Sequence, residues 1–483
     1  MTDSLSNHDL DPVPTDKRTW SKWNIAALWV GMAVCIPTYM LAASMISAGM
    51  RWWQALLTVM LGNLIVLVPM ILNAHGGTKY GIPFPVLARA SFGTTGAHIP
   101  SIARALVACG WFGIQTWIGG AAIYSILRVL GWIGEDAEAA RISFVGISPW
   151  QLVCFGIFWV VHLAIVMRGI NSIKWLEAWA APFLILSGLA LLLWAVLKVD
   201  NPGQLFKNES GFETKAQFWK VFFPSLTAMV GFWATLSLNI PDFSRYCKSQ
   251  RDQAVGQLIG LPTTMTLFCF IGIVVTGATI SIFGEAVADP VDLVSRLDSK
   301  PVVVVSLFAV LLATLSTNLA ANVVSPANGF ANLSPSKISF RTGAIATCVI
   351  GVLIMPWRLY NDLGDYIFTW LIGYSALLGP IAGIIIADYF IMRRTRLQVE
   401  QLYEPQGEFA GVNRRAVVAL VLAVLPNIPG FVNAATNTAG TPEAIFPSIF
   451  DSMYDYAWFI GIAISIGMYC VLMRGRARPS ESN

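Results

Sequence analysis

The stretch Cys35-Ile36-Pro37-Thr38 decides how this chain folds. It lies inside Ile25–Ser47, an apolar run long enough to cross a bilayer. Proline removes a helix N–H and clashes with the preceding turn. The helix therefore breaks at this point, and in lipid the freed carbonyls need other partners. A second interruption lies in Phe218–Leu238, where Gly231 sits within Met229–Trp233 and the run ends at Asn239-Ile240-Pro241-Asp242. If the intervening apolar runs all cross, the two interrupted runs enter the membrane from opposite faces. Interrupted segments at matching places in two inverted halves mark the binding site of a secondary transporter. Proline and glycine are also common in ordinary membrane helices, and that reading stands beside the first.

The composition agrees with a membrane setting. Of 483 residues, 56% are hydrophobic and 12% charged, against about 25% charged in soluble proteins. Such a balance excludes a disordered chain, a secreted disulfide scaffold and a cytosolic enzyme. A net charge of +4 is too small to imply nucleic-acid binding. The seven cysteines are widely spaced, so neither a metal site nor a disulfide framework is expected. Met1 to Trp20 is polar and lacks the apolar core of a signal peptide, so the first apolar run is expected to stay in the mature protein.

Twelve runs are long enough to span, and we number them as spans 1 to 12: Ile25–Ser47, Ala55–Leu72, Ile99–Leu127, Pro149–Val166, Ile173–Leu197, Phe218–Leu238, Ile259–Phe283, Val302–Ala331, Thr342–Leu359, Tyr366–Ile391, Ala416–Val432 and Ala457–Met473. Between spans 2 and 3, Ala74–Gly93 holds several glycines and prolines and reads as a re-entrant turn or a short surface helix. An even count puts both termini on one side. Roughly twice as many lysines and arginines then fall on that side as on the other, which predicts cytoplasmic termini in a multi-pass protein of the inner (plasma) membrane.

Chemistry-bearing residues are few. His162 is the one histidine inside a span, with no nucleophile motif or zinc spacing around it, and is expected to be bonded within the bundle. No P-loop appears. Ionisable residues in spans are usually functional, but Arg104, Glu177, Asp242 and Asp388 all fall near span ends. Arg104 is expected to snorkel to the interface. A small cation would then be held by carbonyls and hydroxyls. Span 8 carries Ala313, Ser316 and Thr317 at i, i+3 and i+4, on one helix face. Asn322 points elsewhere, nearly opposite Ala313. Hydroxyls and amides also join membrane helices to one another, and that role competes with ligand binding here. In span 3, Trp111 and Gln115 share a face. An indole beside a carboxamide suits a planar polar ring, the indole stacking and the amide bonding its edge; an interfacial tryptophan anchor is the alternative.

With these motifs, the chain resembles nucleobase–cation symporter family 1, which includes hydantoin, allantoin, uracil and cytosine permeases, and is most similar to the bacterial allantoin permeases. The resemblance covers nearly the whole chain. It rests on Ile36-Pro37-Thr38-Tyr39, Gly77-Thr78-Lys79-Tyr80-Gly81, Phe112-Gly113-Ile114-Gln115-Thr116, Asn239-Ile240-Pro241-Asp242-Phe243, Ala313 through Pro326, and Leu378-Gly379-Pro380-Ile381-Ala382-Gly383. It implies an all-α integral membrane protein with twelve transmembrane helices in a LeuT-like 5+5 inverted repeat plus two extra helices. The tail 1–24 precedes a first repeat at 25–198 and a second at 217–392; spans 11 and 12 occupy 414–473, and a tail follows at 474–483.

The resemblance also implies site residues. Trp111 and Trp233 match the ring-stacking tryptophans, and Gln115 and Asn322 the amides that bond the substrate. The backbone carbonyls of Gly31, Val34 and Ala313, with the hydroxyls of Ser316 and Thr317, match a sodium site. Cys35 stands where the hydantoin member has glutamine, and Phe232 where it has glycine; both would face the substrate. The implied activity is cation-coupled import of a small planar ureide or nucleobase-like ring such as allantoin, hydantoin or uracil, with a proton-coupled cytosine or other purine or pyrimidine permease as the alternative. Neither enzyme chemistry nor a cofactor is implied beyond sodium as coupling ion. The partners implied are the heterocyclic substrate and the lipid bilayer.

Overall fold

The computed structural model describes residues 5–134, 137, 140–168, 170–206, 211–359, 363–437 and 444–474. Every apolar run read from the sequence is helical. Among the described residues, eight helices are long and apolar enough to cross a membrane, and a bent pair makes a ninth. That pair is span 1, Lys22–Ala33 and Ile36–Ser47, which meet at 61°. Span 6 is also interrupted, as Lys215–Phe232 and Ala234–Asn239. Spans 9 and 12, Phe340–Leu353 and Ala457–Met473, are shorter apolar helices. Span 9 ends before the sequence reading had it, because Met355 has a positive φ of 52° and Pro356 starts a separate turn.

The span 1 break follows from its residues. Val34 caps the first half, and Cys35 is extended at φ −143°, ψ 161°. Pro37 then sits in the first turn of the second half, where its missing N–H costs nothing. Span 6 breaks at Trp233, whose φ of −105° and ψ of 4° leave the helical region for one residue. On one side of that break, Gly231 lets span 6 approach span 10: a Cβ there would lie 2.8 Å from the Leu371 carbonyl oxygen.

Two expectations are corrected. Ala74–Tyr80 does not leave span 2 but continues it, as part of the helix Trp52–Tyr80. The segment beyond is a helix, Phe84–Phe92, but not a surface one, since all nine residues are buried. Its Arg89 is held inside, donating to Asn332 Oδ1 at 2.6 and 3.0 Å and to the Leu402 carbonyl at 3.0 Å. Arg104 likewise does not snorkel. It is 1% exposed, and donates to Asn239 Oδ1 and to the Ala321 carbonyl, both at 2.8 Å. A buried guanidinium keeps its charge inside only where such acceptors converge on it. Here it ties span 3 to spans 6 and 8. The Glu177 side chain lies outside the described residues.

The N-terminal tail is packed against the bundle. In the loop after span 6, Tyr246 accepts from the Trp20 N–H and Lys248 donates its N–H to the Trp20 carbonyl. Asp9 accepts from the Phe340 N–H, and Leu10 from the Tyr403 hydroxyl. The loops after spans 6, 8 and 10 thus lie at the same end as the N-terminus, as an alternating path through the membrane requires.

Candidate functional site

Span 8 (Lys300–Asn322, continuing as Val324–Leu333) lies against the span 1 break. Thr317 Oγ1 is 2.9 Å from the Gly31 carbonyl oxygen and 3.4 Å from that of Met32; Ser316 Oγ is 3.4 Å from Gly31 O. Val34 and Ala313 meet in the same small cluster. Of the five residues proposed for sodium, Ser316 and Thr317 thus meet the Gly31 carbonyl, and Val34 and Ala313 pack against each other beside them. Their donor set is neutral oxygen alone, which suits a hard cation of low charge. Oxygens about 3 Å apart are spaced as neighbours within one coordination shell. The set fits sodium.

On the other side of the break is an aromatic chain. Trp111 meets Phe232 edge-on (5.7 Å between centroids), Phe232 meets Trp233 (4.9 Å), and Trp233 meets Trp29 (5.1 Å). Trp29 is fully buried in span 1 and was not singled out in the sequence; it is an unremarkable apolar residue there until span 6 is folded against it. Phe232 touches both indoles. Its ring thus joins the two indoles.

Three polar atoms in this group are buried without a hydrogen-bond partner: Gln115 Oε1 and the indole nitrogens of Trp29 and Trp233. Such groups cost about 1–3 kcal/mol each when left unpaired.

Cys35 joins the two halves of the site. Its thiol is 3.3 Å from Thr38 Oγ1 and in hydrogen-bonding reach of the Gln115 and Thr317 side chains. One residue therefore faces both a candidate substrate amide and a candidate cation ligand. A cavity of about 240 Å³ opens beside it, lined by Val34, Cys35, Ile36 and Tyr39 of span 1, Ala313 of span 8 and apolar residues of span 5. The cavity reaches the cation side; Trp111, Gln115, Phe232, Trp233 and Asn322 do not line it.

Asn322 belongs to a buried amide chain. Its Nδ2 donates to Asn318 Oδ1 at 3.0 Å, and Asn318 Nδ2 lies 3.1 Å from His162 Nε2. His162 is bonded within the bundle, its Nδ1 2.9 Å from the Phe158 carbonyl. Sequence reading passed over Asn318, whose role depends on a contact between spans 4 and 8 that no local pattern encodes. Among the described residues, no group of three or more histidine, cysteine or acidic side chains is placed to hold a metal.

A multi-span helical bundle with two broken helices, and with uncharged polar side chains packed against them, defines a secondary transporter rather than an enzyme. Comparison with known proteins agrees. Residues 12–461 match the family model for permeases of cytosine/purines, uracil, thiamine and allantoin, and the chain belongs to this family. It is 46% identical over 99% of its length to the purine-uracil permease NCS1 of Arabidopsis thaliana, of which 79% is covered. It is 39% identical to the allantoin permease of Bacillus subtilis, covering 98% of this chain and 94% of that one. The structure of Mhp1, a nucleobase-cation-symport-1 family transporter closed around bromovinylhydantoin, superposes with a TM-score of 0.77 at 26% identity, covering 98% of this chain and 96% of that one. The architecture is thus LeuT-like.

Proposed function

We propose that this protein is a cation-coupled symporter that imports a small planar ureide or nucleobase-like ring, such as allantoin, hydantoin or uracil, by alternating access. The observation that carries the reading is Gln115. Its amide oxygen is buried and unpartnered beside Trp111, and its amide faces the Cys35 thiol, which also meets the Thr317 hydroxyl. The ring stacks on Trp111 and Trp233 and is bonded at its rim by Gln115 and Asn322, with Cys35 and Phe232 shaping the pocket. Each aromatic contact contributes about 0.5–1.5 kcal/mol beyond burial and each amide bond about 0.5–1.5 kcal/mol net. Together with the burial itself, binding falls near micromolar. A carrier needs that strength, because it must let its cargo go.

Sodium bound by Gly31, Val34, Ala313, Ser316 and Thr317 pins span 1 to span 8. Through Cys35, that pinning fixes where Gln115 meets the substrate. The two halves of span 1 and span 6 rock against spans 3 and 8 to change access. Both termini lie in the cytoplasm and the protein sits in the cell (inner) membrane, as the excess of basic residues on the terminus side supports.

Competition for uptake among allantoin, hydantoin, uracil and cytosine, run with and without sodium, tests the reading. We expect a ureide or imide ring to win and sodium to stimulate. Preferred uptake of cytosine that follows a pH gradient and ignores sodium would overturn both the substrate and the ion.

A further inference from the structure

We propose that Asn318, held by span 4 His162, sets which end of the Asn322 amide faces the substrate, and so makes the site an acceptor for a ring N–H. The inference rests on the placement of Asn322 at the substrate under the proposed function.

The reasoning runs from proton positions. His162 is fully buried. Its Nδ1 is 2.9 Å from the Phe158 carbonyl oxygen, which can only accept, so Nδ1 carries the hydrogen. In the neutral ring, Nε2 is then a bare lone pair. Asn318 presents one amide end to that lone pair at 3.1 Å, and the same end to the Phe112 carbonyl and to Thr116 Oγ1, each at 3.2 Å. Thr116 spends its own proton on Phe112 O at 2.7 Å, so toward Asn318 it offers only lone pairs. All three partners are acceptors. The end that meets them must be the NH2, its two hydrogens shared among three oxygen and nitrogen atoms.

Asn318 Oδ1 therefore points the other way, where it lies 3.0 Å from Asn322. An oxygen there demands a donor, so Asn322 turns its NH2 toward Asn318. No described residue donates to Asn322 Oδ1. Asn322 alone could take either amide orientation, with oxygen and nitrogen exchanged at little cost. Attached to the chain Phe158–His162–Asn318, it cannot flip without setting oxygen against oxygen. The oxygen it keeps free takes a hydrogen from the ligand. Gln115 adds a second buried oxygen lacking a donor.

The ligand feature selected is the imide N–H, the ring hydrogen flanked by two carbonyls, taken by Asn322 Oδ1. Uracil has N3–H between two carbonyls; cytosine has a bare N3 beside an exocyclic amine. The two rings are nearly the same size and differ in the donor pattern of one edge. His162 and Asn318 would thus be positioning residues for specificity, although neither touches the substrate.

The test is the ratio of uracil to cytosine inhibition constants against labelled uptake in cells or proteoliposomes, which does not depend on how much protein reaches the membrane. Wild type should favour uracil by at least about tenfold, since cytosine in the same pose sets its N3 lone pair against the Asn322 oxygen, and its N1–H and exocyclic amine reach that oxygen only if the ring turns away from the Gln115 edge. Asn318→Leu removes the oxygen that holds Asn322, and the ratio should fall to within about threefold of unity. His162→Phe, which keeps the edge-on packing with Phe112 and Phe158, should lower it less, and it supplies the answer if Asn318→Leu fails to assemble. A ratio unchanged from wild type in the variant that assembles, with uptake still measurable, overturns the amide relay and leaves the transporter reading intact. A wild-type preference for cytosine overturns the orientation itself. If wild type carries no heterocyclic ring at all, the proposed function falls, and the relay with it.

Discussion

Phe232 is the residue whose truncation should rewrite what this permease carries. Its ring is 9% exposed and meets Trp111 and Trp233 edge-on at 5.7 and 4.9 Å. Phe232→Ala removes both contacts, about 1–3 kcal/mol at 0.5–1.5 for each. It also leaves a space of benzyl size in a region where large-to-small changes cost about 3–5 kcal/mol. A small ring such as uracil cannot fill that space and loses the wall that holds Trp111 in place. A hydantoin bearing a bulky aromatic substituent at C5 can fill it, and burying that group regains about 1.5–3 kcal/mol. At 1.4 kcal/mol per decade, we expect affinity for uracil to drop by about tenfold and affinity for the C5-substituted ring to rise by a comparable factor, so that the two cross. The assay is uptake inhibition by the two compounds at matched membrane expression, measured by surface labelling. Parallel loss of both compounds would mean that Phe232 only stabilises the fold. No change in either would mean that the ring lies away from the substrate. Either result refutes the reasoning.

Two further outcomes follow from the breaks. Thr317→Val keeps the shape of the side chain but removes the hydroxyl that meets Gly31 O at 2.9 Å. Half-maximal sodium concentration for uptake should rise by about tenfold or more, since a hydrogen-bonding group next to a charge is worth about 1.5–3 kcal/mol; a sodium curve that does not move would remove Thr317 from the cation site. Gly231→Ala places a methyl group 2.8 Å from the Leu371 carbonyl oxygen and 3.2 Å from the Ser375 side chain. Span 6 must then move off span 10, and we expect uptake to fall at least tenfold in protein that still reaches the membrane; wild-type rates would show that the two spans separate freely.

The parts of this protein legible in the sequence are those with a local cause. Pro37 announced the span 1 break because one missing N–H is a local event. The i, i+3, i+4 spacing of Ala313, Ser316 and Thr317 puts them on one face, and in the folded chain that face meets span 1, the two hydroxyls at the Gly31 carbonyl and Ala313 at Val34. Misreadings arose where a distant segment decides. Arg104 looked like a snorkelling residue because Asn239 and the Ala321 carbonyl, its acceptors, are 135 and 217 residues away in sequence. Ala74–Gly93 reads as a turn or surface element because of its glycines and prolines, while the acceptors that hold Arg89 inside, Asn332 and the Leu402 carbonyl, are 243 and 313 residues away in sequence. Trp29 and Asn318 carried no signal at all. Each is an ordinary spanning residue until spans 6 and 4 come to rest on it.

The direct test is accumulation in proteoliposomes. Purified protein is reconstituted and given an inward sodium gradient, and labelled uracil, hydantoin and allantoin are followed with and without an ionophore that dissipates the gradient. We predict that wild type concentrates at least one of these rings above its outside level until the ionophore is added, and that Gln115→Leu concentrates none while reconstituting equally well. Undiminished accumulation by Gln115→Leu, or equilibration without accumulation by wild type, would contradict a coupled carrier built around that amide.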